Sequence, residues 1–307
     1  MHPMPATPSL IVIAGPTAIG KTALAIQLAK HYSAEIISAD SRQFYREMNI
    51  GTAKPTGEEL AEVPHHFVNN ISIHQKNYSA GKFEDEVIEF LDTYFQKNKI
   101  AVLVGGSGLF VNAVVSGFDK MDNTDNRELY LARNFLNTKD LVWLQQEVER
   151  LDPEYYAEVD RKNPVRLKRA LEIIFTTGKT YSEQRIGKKK ERDFKSIRIG
   201  LNIPREELYE RINTRVDLMM QQGLLEEVER LYLHKKLHTL NTVGYTELFD
   251  YIEDKLTLQQ AIDLIKQNTR NYAKRQLTWF KKDNGFRWFQ PQQVAEIEAY
   301  IDGQLSS

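Results

Sequence analysis

Gly15-Pro16-Thr17-Ala18-Ile19-Gly20-Lys21-Thr22 satisfies the pattern G-x-x-x-x-G-K-[ST] in full. Residues of these types at this spacing hold a diphosphate. Backbone N–H groups of the loop and the positive end of the following helix cradle the anion. Lys21 neutralises it, and the Thr22 hydroxyl sits on a Mg²⁺. The pattern means this only between a strand and a helix, and both are legible here. "SLIVIAG" is a short apolar, β-branched run entering the turn, and "KTALAIQLAKHY" repeats its apolar positions at helical spacing.

Such a loop does not by itself choose a reaction, so its neighbours matter. An NTP-hydrolysing site usually has an aspartate at the end of an apolar strand to help hold Mg²⁺. The strand "AVLVGGSG" ends instead in Gly105-Gly106-Ser107. A guanine reader would want N-K-x-D, and "NKIA" at 98–101 lacks the acid. The remaining strand-end acid is Asp40, in "IISADSRQFYREMNIGTAKPT". A carboxylate there serves as metal ligand, as general base, or as a turn residue tied to nearby N–H groups. Ser41, Arg42, Gln43 and Tyr45 follow it directly and have the chemistry to hydrogen-bond or stack on a planar base.

The elements that must position these groups alternate β and α over the first 118 residues, with strands also at 34–40 and 99–108 and a helical stretch between them. That order predicts a parallel sheet with its ligand at the carboxyl ends of the strands. From 119 to 195 strand-like runs vanish in favour of charged helical sequence, and "KSIRIGLNIP" (195–204) returns to the sheet before long amphipathic helices. The expected fold class is therefore α/β: a P-loop NTPase-like parallel-sheet core from residues 1–118 and 196–307, carrying C-terminal helices and an inserted α-helical domain at 119–195. Lys plus Arg (41) nearly balance Asp plus Glu (42), but 161–192 carries a local excess of +8 and 266–287 one of +6, which suits a phosphate backbone. Arg211 and Arg215 share a helix face, either toward a phosphate or in pairs with Glu207 and Glu210. The adjacent His65-His66 reads as structural rather than metal-binding. With no cysteine, thiolate chemistry and disulfides are excluded. No apolar run approaches the roughly 18 residues needed to cross a bilayer, and "MHPMPATPSL" is no leader. A soluble cytoplasmic protein without a membrane partner is expected.

The blocks "GPTAIGKT", "ISADSRQFYREMNIGTAKPT", "PHHF", "YSAGKFEDE", "VLVGGSGLF", "NPVRLKRALEI", "TGKT", "VGY" and "NYAKRQLTWF" follow one another in an order that resembles the bacterial tRNA dimethylallyltransferases, or tRNA isopentenyltransferases, over residues 10–285. That resemblance implies transfer of a dimethylallyl group from dimethylallyl diphosphate to N6 of adenosine 37, beside the anticodon, with Mg²⁺ and by a monomer. It implies that Asp40 takes the amine proton, while Lys21 and Thr22 with its Mg²⁺ serve the departing diphosphate and Thr17 lies near the donor. It also implies tRNA contacts from Asp40, Ser41, Arg42, Gln43, Ser107, Arg166, Arg169, Lys274 and Arg275, together with Arg127 or Arg133 from the poorly matching stretch 119–134. Around "VGY" the chain departs from the pattern, with Asn241, Thr242 and Thr246 where relatives carry a basic residue, so no arginine clamp is assigned there. A transferase acting on free AMP or ADP would share the loop and Asp40 but has little use for the two basic runs. A nucleotide kinase would want the missing strand-end acid, and a non-catalytic RNA-binding module would not need Lys21, Thr22 and Asp40 intact.

Overall fold

The computed structural model describes residues 7–75, 78–119, 126–185 and 190–306. They divide into two compact units, one drawn from Met1–Val115 and Arg192–Ser307 and one from Ser116–Glu191.

The first unit is a six-stranded, wholly parallel sheet between helices. In chain order it contains β1 (Ser9–Ala14), α1 (Lys21–His31), β2 (Ile36–Ser38), α2 (Gly57–Glu62), β3 (His65–His66), α3 (Ala80–Tyr94), β4 (Ile100–Gly105) and α4 (Gly108–Ser116). The second unit supplies α5 (Asn126–Asn137), α6 (Leu141–Leu151), α7 (Pro153–Glu158), α8 (Pro164–Thr177) and α9 (Tyr181–Gln184). The first then resumes with β5 (Lys195–Leu201), α10 (Arg205–Gln221), α11 (Leu224–Leu231), α12 (Tyr245–Ile252), α13 (Leu258–Phe280), β6 (Arg287–Phe289) and α14 (Val294–Leu305). The strand order is β3-β2-β4-β1-β5-β6, with β1 central, its Leu10 opposite Ala101 of β4 and Ser196 of β5.

All six residues of β1 are buried, as a parallel strand covered on both faces must be. Its side chains alternate between two cores. Leu10, Val12 and Ala14 join α3, α4 and α11–α13 on one face, while Ile11 and Ile13 join α1, α10 and α14 on the other. Two edge strands, β3 and β6, were not legible in the sequence, because two or three residues are too few to show alternation. They exist by pairing, His65 beside Ile36 and Phe289 beside Leu201. The long helical stretch beginning at Arg205 is divided by Gly223, whose φ of 97° ends α10 and starts α11.

The second unit has its own core of Leu136, Leu144, Val148, Tyr155, Leu167 and Leu171. Its helix ends are set by local chemistry. Asn163 caps α8 ahead of Pro164, and Gly178, at φ 72°, ends it. Buried Asp152 caps α7 and accepts from Ser182 N–H at 2.9 Å and Oγ–H at 2.6 Å. Among the described residues no helix is long and apolar enough to cross a membrane.

Candidate active site

The phosphate loop leaves β1 at Ala14 and enters α1 at Lys21. Gly15 is required because a Cβ there would lie 2.9 Å from the Leu201 carbonyl oxygen of β5. Gly20, at φ 100°, caps α1 without offering a side-chain acceptor, so the first N–H groups of the helix keep their hydrogen-bonding capacity for a bound anion. Ala18 is held at φ 62°, a left-handed conformation costly for a residue with a Cβ. The Lys21 ammonium donates to Pro16 O at 2.8 Å and so folds over the loop. Burial pushes its pKa down to about 8, with nearby Asp40 opposing that shift and nearby Arg215 adding to it.

Asp40 follows β2, and its two oxygens differ. Oδ1 accepts the Arg42 N–H at 3.0 Å in a local turn, while Oδ2 makes no protein hydrogen bond among the described residues. The turn and the catalytic readings of this aspartate thus concern different atoms of one side chain. Ser41 N–H donates to Ser107 Oγ at 3.2 Å, and the two hydroxyls also lie 3.2 Å apart. The Arg42 guanidinium donates to Thr239 O at 2.9 Å. Gln43 accepts from Ser38 Oγ–H at 3.2 Å and donates to the Thr52 and Ala53 carbonyls at 3.3 and 3.2 Å.

Helix α13 closes the base of this arrangement with a residue the sequence reading did not single out. Gln276 is buried, accepts the Thr17 N–H at 2.9 Å and donates to Gly106 O at 2.8 Å, tying the phosphate loop to the end of β4. The glycines after β4 owe their identity to close approach: a Cβ on Gly105 would meet Ala39 O at 2.5 Å and one on Gly106 the Gln276 amide at 2.3 Å. One turn before Gln276, burial beside Asp40 pushes the Tyr272 phenol up to about 12. The available signal was their spacing of four in "NYAKRQLTWF", which puts both on one helix face. The two arginines of α10 separate. Arg211 pairs with Glu207 at 2.7 Å, whereas Arg215 reaches Thr17 Oγ1 at 3.3 Å and Ala53 O at 3.5 Å.

Most of these groups line one cavity of about 920 Å³ within the first unit, with Gly15, Pro16 and Ser107 outside its lining. Thr17–Thr22, Asp40–Gln43 and Asn49–Thr56 line it together with Arg215, Tyr272 and Gln276 and the apolar Val216, Met219, Leu224, Val243 and Ile265. An anion cradle, cations that include Lys21 and Arg215, and a carboxylate oxygen without a protein partner among the described residues therefore meet in a space large enough for a small diphosphate and a planar base.

A family model described as IPP transferase matches residues 43–283. The chain belongs to the IPP transferase family. It is 50% identical over 299 residues to a tRNA dimethylallyltransferase of Christiangramia forsetii, covering 97% of this chain and 99% of that one. It is 46% identical over 297 residues to tRNA dimethylallyltransferase 1 of Bacteroides fragilis, covering 97% and 98%. Among solved structures, the tRNA isopentenylpyrophosphate transferase of Bacillus halodurans aligns with a TM-score of 0.71 at 37% identity over 97% of each chain. A eukaryotic dimethylallyltransferase acting on tRNA aligns with a TM-score of 0.74 at 28% identity, over 89% of this chain and 70% of that one.

In this family member Lys274, Arg275, Arg127, Arg133, Arg166 and Arg169 lie outside the cavity lining, whereas His65 is part of it. Lys274 and Arg275 are exposed on α13, with Arg275 stacked 5.7 Å from the Tyr272 ring. Arg127, Arg133, Arg166 and Arg169 belong to the second unit, and Arg133 and Arg169 each pair at 3.3 Å with the same carboxylate, Glu172. Lys188 and Lys189 of the first basic run, and residues 120–125 of the poorly matching stretch, lie outside the described residues. His65 bonds through Nδ1 to Val63 O at 2.7 Å and His66 through Nε2 to Glu35 at 2.5 Å, so the pair fixes the sheet edge.

Proposed function

We propose that this IPP transferase moves a dimethylallyl group from dimethylallyl diphosphate to N6 of adenosine 37 in tRNA, yielding N6-dimethylallyladenosine and diphosphate. One observation carries the reading: Asp40, with Oδ2 unengaged, lines the same cavity as the anion cradle and lies near enough to Lys21 to act on its charge. The bond from the allylic carbon to the diphosphate oxygen breaks, a bond from that carbon to N6 forms, and an N6 proton passes to Asp40 Oδ2. An exocyclic amine is a weak nucleophile because its lone pair is delocalised into the ring, so removing its proton during attack matters. The leaving diphosphate is stabilised by the loop and helix amides, by Lys21 and by Arg215, charges fixed before the reaction starts. Gln43, held at both ends, presents the surface against which the adenine lies.

Mg²⁺ fits this donor set. Among the described residues no cluster of three or more His, Cys, Asp or Glu could hold an ion, but the Thr22 hydroxyl is a hard oxygen donor lining the cavity beside the cradle. A small number of protein oxygens completed by substrate phosphate and water is what Mg²⁺ prefers. When bound, it would neutralise charge on the departing oxygens.

The acceptor base must leave its stack to enter, which costs less in a loop than in a duplex. Exposed Lys274 and Arg275 supply cations for RNA phosphates. In the second unit, exposed Arg166 of α8 is a further cation suited to an RNA backbone. The protein acts as a monomer in this reading. The test is to incubate the protein with dimethylallyl diphosphate, Mg²⁺ and unmodified tRNA, digest the RNA and examine nucleosides by mass spectrometry. A dimethylallylated adenosine at position 37 is expected. Its absence there, with wild-type protein and intact donor, refutes the reading, and AMP in place of tRNA tests the free-nucleotide alternative.

A further inference from the structure

Glu227 of α11 is almost fully buried, at 2% exposure, and does not line the cavity. Four donors converge on its carboxylate. Oε2 accepts the N–H groups of Asn49 at 3.0 Å and Ile50 at 2.8 Å, while Oε1 accepts Gly51 N–H at 3.0 Å and the Tyr245 hydroxyl at 2.6 Å. A buried carboxylate is costly unless such donors replace its water. No cation is ion-paired to it among the described residues, although the Lys54 ammonium lies close enough to feel its charge. Tyr245, the last residue of "VGY", is itself fully buried, with its phenol pushed upward by burial and by Glu227. Its ring lies where a Cβ on Gly51 would be, at 2.5 Å, so only glycine lets the turn come this close.

What the turn carries is close to the chemistry. Directly after Gly51, Thr52 O and Ala53 O receive Gln43, and Ala53 O also receives Arg215, whose other nitrogen reaches Thr17 of the phosphate loop. We propose that Glu227 is a positioning residue: its carboxylate fixes the backbone of Asn49–Gly51 and thereby sets Gln43 and Arg215, both of which line the cavity. This rests on the transferase reading for what those two side chains do, but not for the anchoring itself. Carbonyls on an unanchored turn would drift, and both side chains would lose a fixed acceptor at once.

Glu227→Gln keeps the shape but replaces one acceptor oxygen with an N–H₂ that faces N–H groups. Hydrogen exchange on the full-length protein should show faster exchange in the peptide covering 49–51, with α1 and β1 unchanged. Calorimetric titration with dimethylallyl diphosphate should give a Kd about tenfold weaker, the scale of one lost charge-assisted hydrogen bond. In turnover the KM for the donor should rise by a similar factor through Arg215, and the KM for tRNA should rise through Gln43, by less because most of the RNA affinity comes from phosphate contacts elsewhere. A purely structural role would instead lower the melting temperature and leave donor binding intact. Wild-type donor affinity in Glu227→Gln, or unchanged exchange at 49–51, overturns the proposal. Should Glu227→Gln not fold, Tyr245→Phe removes one of the four donors at nearly constant volume and should weaken donor binding by about twofold to threefold; unchanged donor binding there also overturns it. If wild-type protein bound the donor yet modified no tRNA, the functional reading would fail while the exchange and titration results still decided the role of Glu227.

Discussion

Arg215 and Arg166 show two ways of using the same side chain. Arg215 points into the cavity, held by Thr17 Oγ1 and Ala53 O, and burial lowers its pKa. Arg166 is exposed on α8, and no salt bridge to it is present among the described residues. A guanidinium fixed on neutral oxygens in a partly desolvated site has already lost its freedom, so it meets a small anion without further ordering. An exposed one is screened, mobile and suited to a phosphate chain whose positions vary. Charges in the first unit should therefore govern the chemical step and its pH dependence, and those of the second unit affinity and its salt dependence.

The largest effect expected from the cavity is on Asp40. Asp40→Asn keeps an oxygen for the Arg42 N–H and so preserves the turn, while removing the base. The single-turnover rate should fall by about 10²–10⁴-fold, the usual worth of a positioned general base, with tRNA affinity almost unchanged. A wild-type single-turnover rate in Asp40→Asn would withdraw its role as base and blur the contrast between the units.

Next comes pH. Lys21 is needed as the ammonium, and in the free protein burial brings its pKa down to about 8. It is charged below that pH and neutral above it, so kcat/KM for the donor should fall as pH rises through about 8. Bound diphosphate restores the ammonium, which moves the corresponding limb of kcat upward. Tyr272, pushed up to about 12, keeps its proton throughout. Lys54 is also brought down to about 8 by burial, but its ammonium is held by Tyr45 O and the Asn49 and Asn69 side chains. Lys21→Arg separates the two, because a guanidinium does not titrate in this range. The limb should vanish in that variant, and a limb that persists belongs to Lys54.

Residues in and around the cavity differ in how far the sequence revealed them. The phosphate loop was legible because its function resides in backbone N–H groups, and the glycines that shape them lie within eight consecutive residues. Asp40 was legible for a related reason, being a lone acid at the end of an apolar strand. Gln276 and Glu227 were not, since each acts on atoms far away in sequence: Gln276 on Thr17 and Gly106, and Glu227 on Asn49–Gly51. Neither carries a local signature that separates it from an ordinary surface residue of an amphipathic helix. Arg215 stood between these cases. Its spacing from Arg211 placed both on one face, and both line the cavity, but only packing shows Arg211 paired with Glu207 while Arg215 reaches Thr17 of the phosphate loop. The sheet was readable from continuous apolar runs, and β3 and β6 escaped because edge strands of two or three residues owe their existence to a neighbour.

The smallest effect, and the one that tests the second unit, separates Arg166 from Arg169. Both lie in the "NPVRLKRALEI" block of α8, one turn apart, and sequence alone treats them alike. Arg169 is partly neutralised by Glu172, which also serves Arg133, whereas Arg166 has no such partner among the described residues. A cation already paired within the protein gives up part of that pairing when it meets a phosphate, and the net gain is smaller. Arg166→Glu should therefore weaken tRNA binding and reduce the slope of log K against log salt by about 1, the loss of one phosphate contact. Arg169→Glu should change the slope by less. Neither should alter the single-turnover rate at saturating tRNA, because neither side chain lines the cavity. Binding titrations across a salt series decide this. An unchanged slope in Arg166→Glu would mean that α8 does not grip the RNA backbone, and a fall in the saturated chemical rate would mean that cations of the second unit do more than hold.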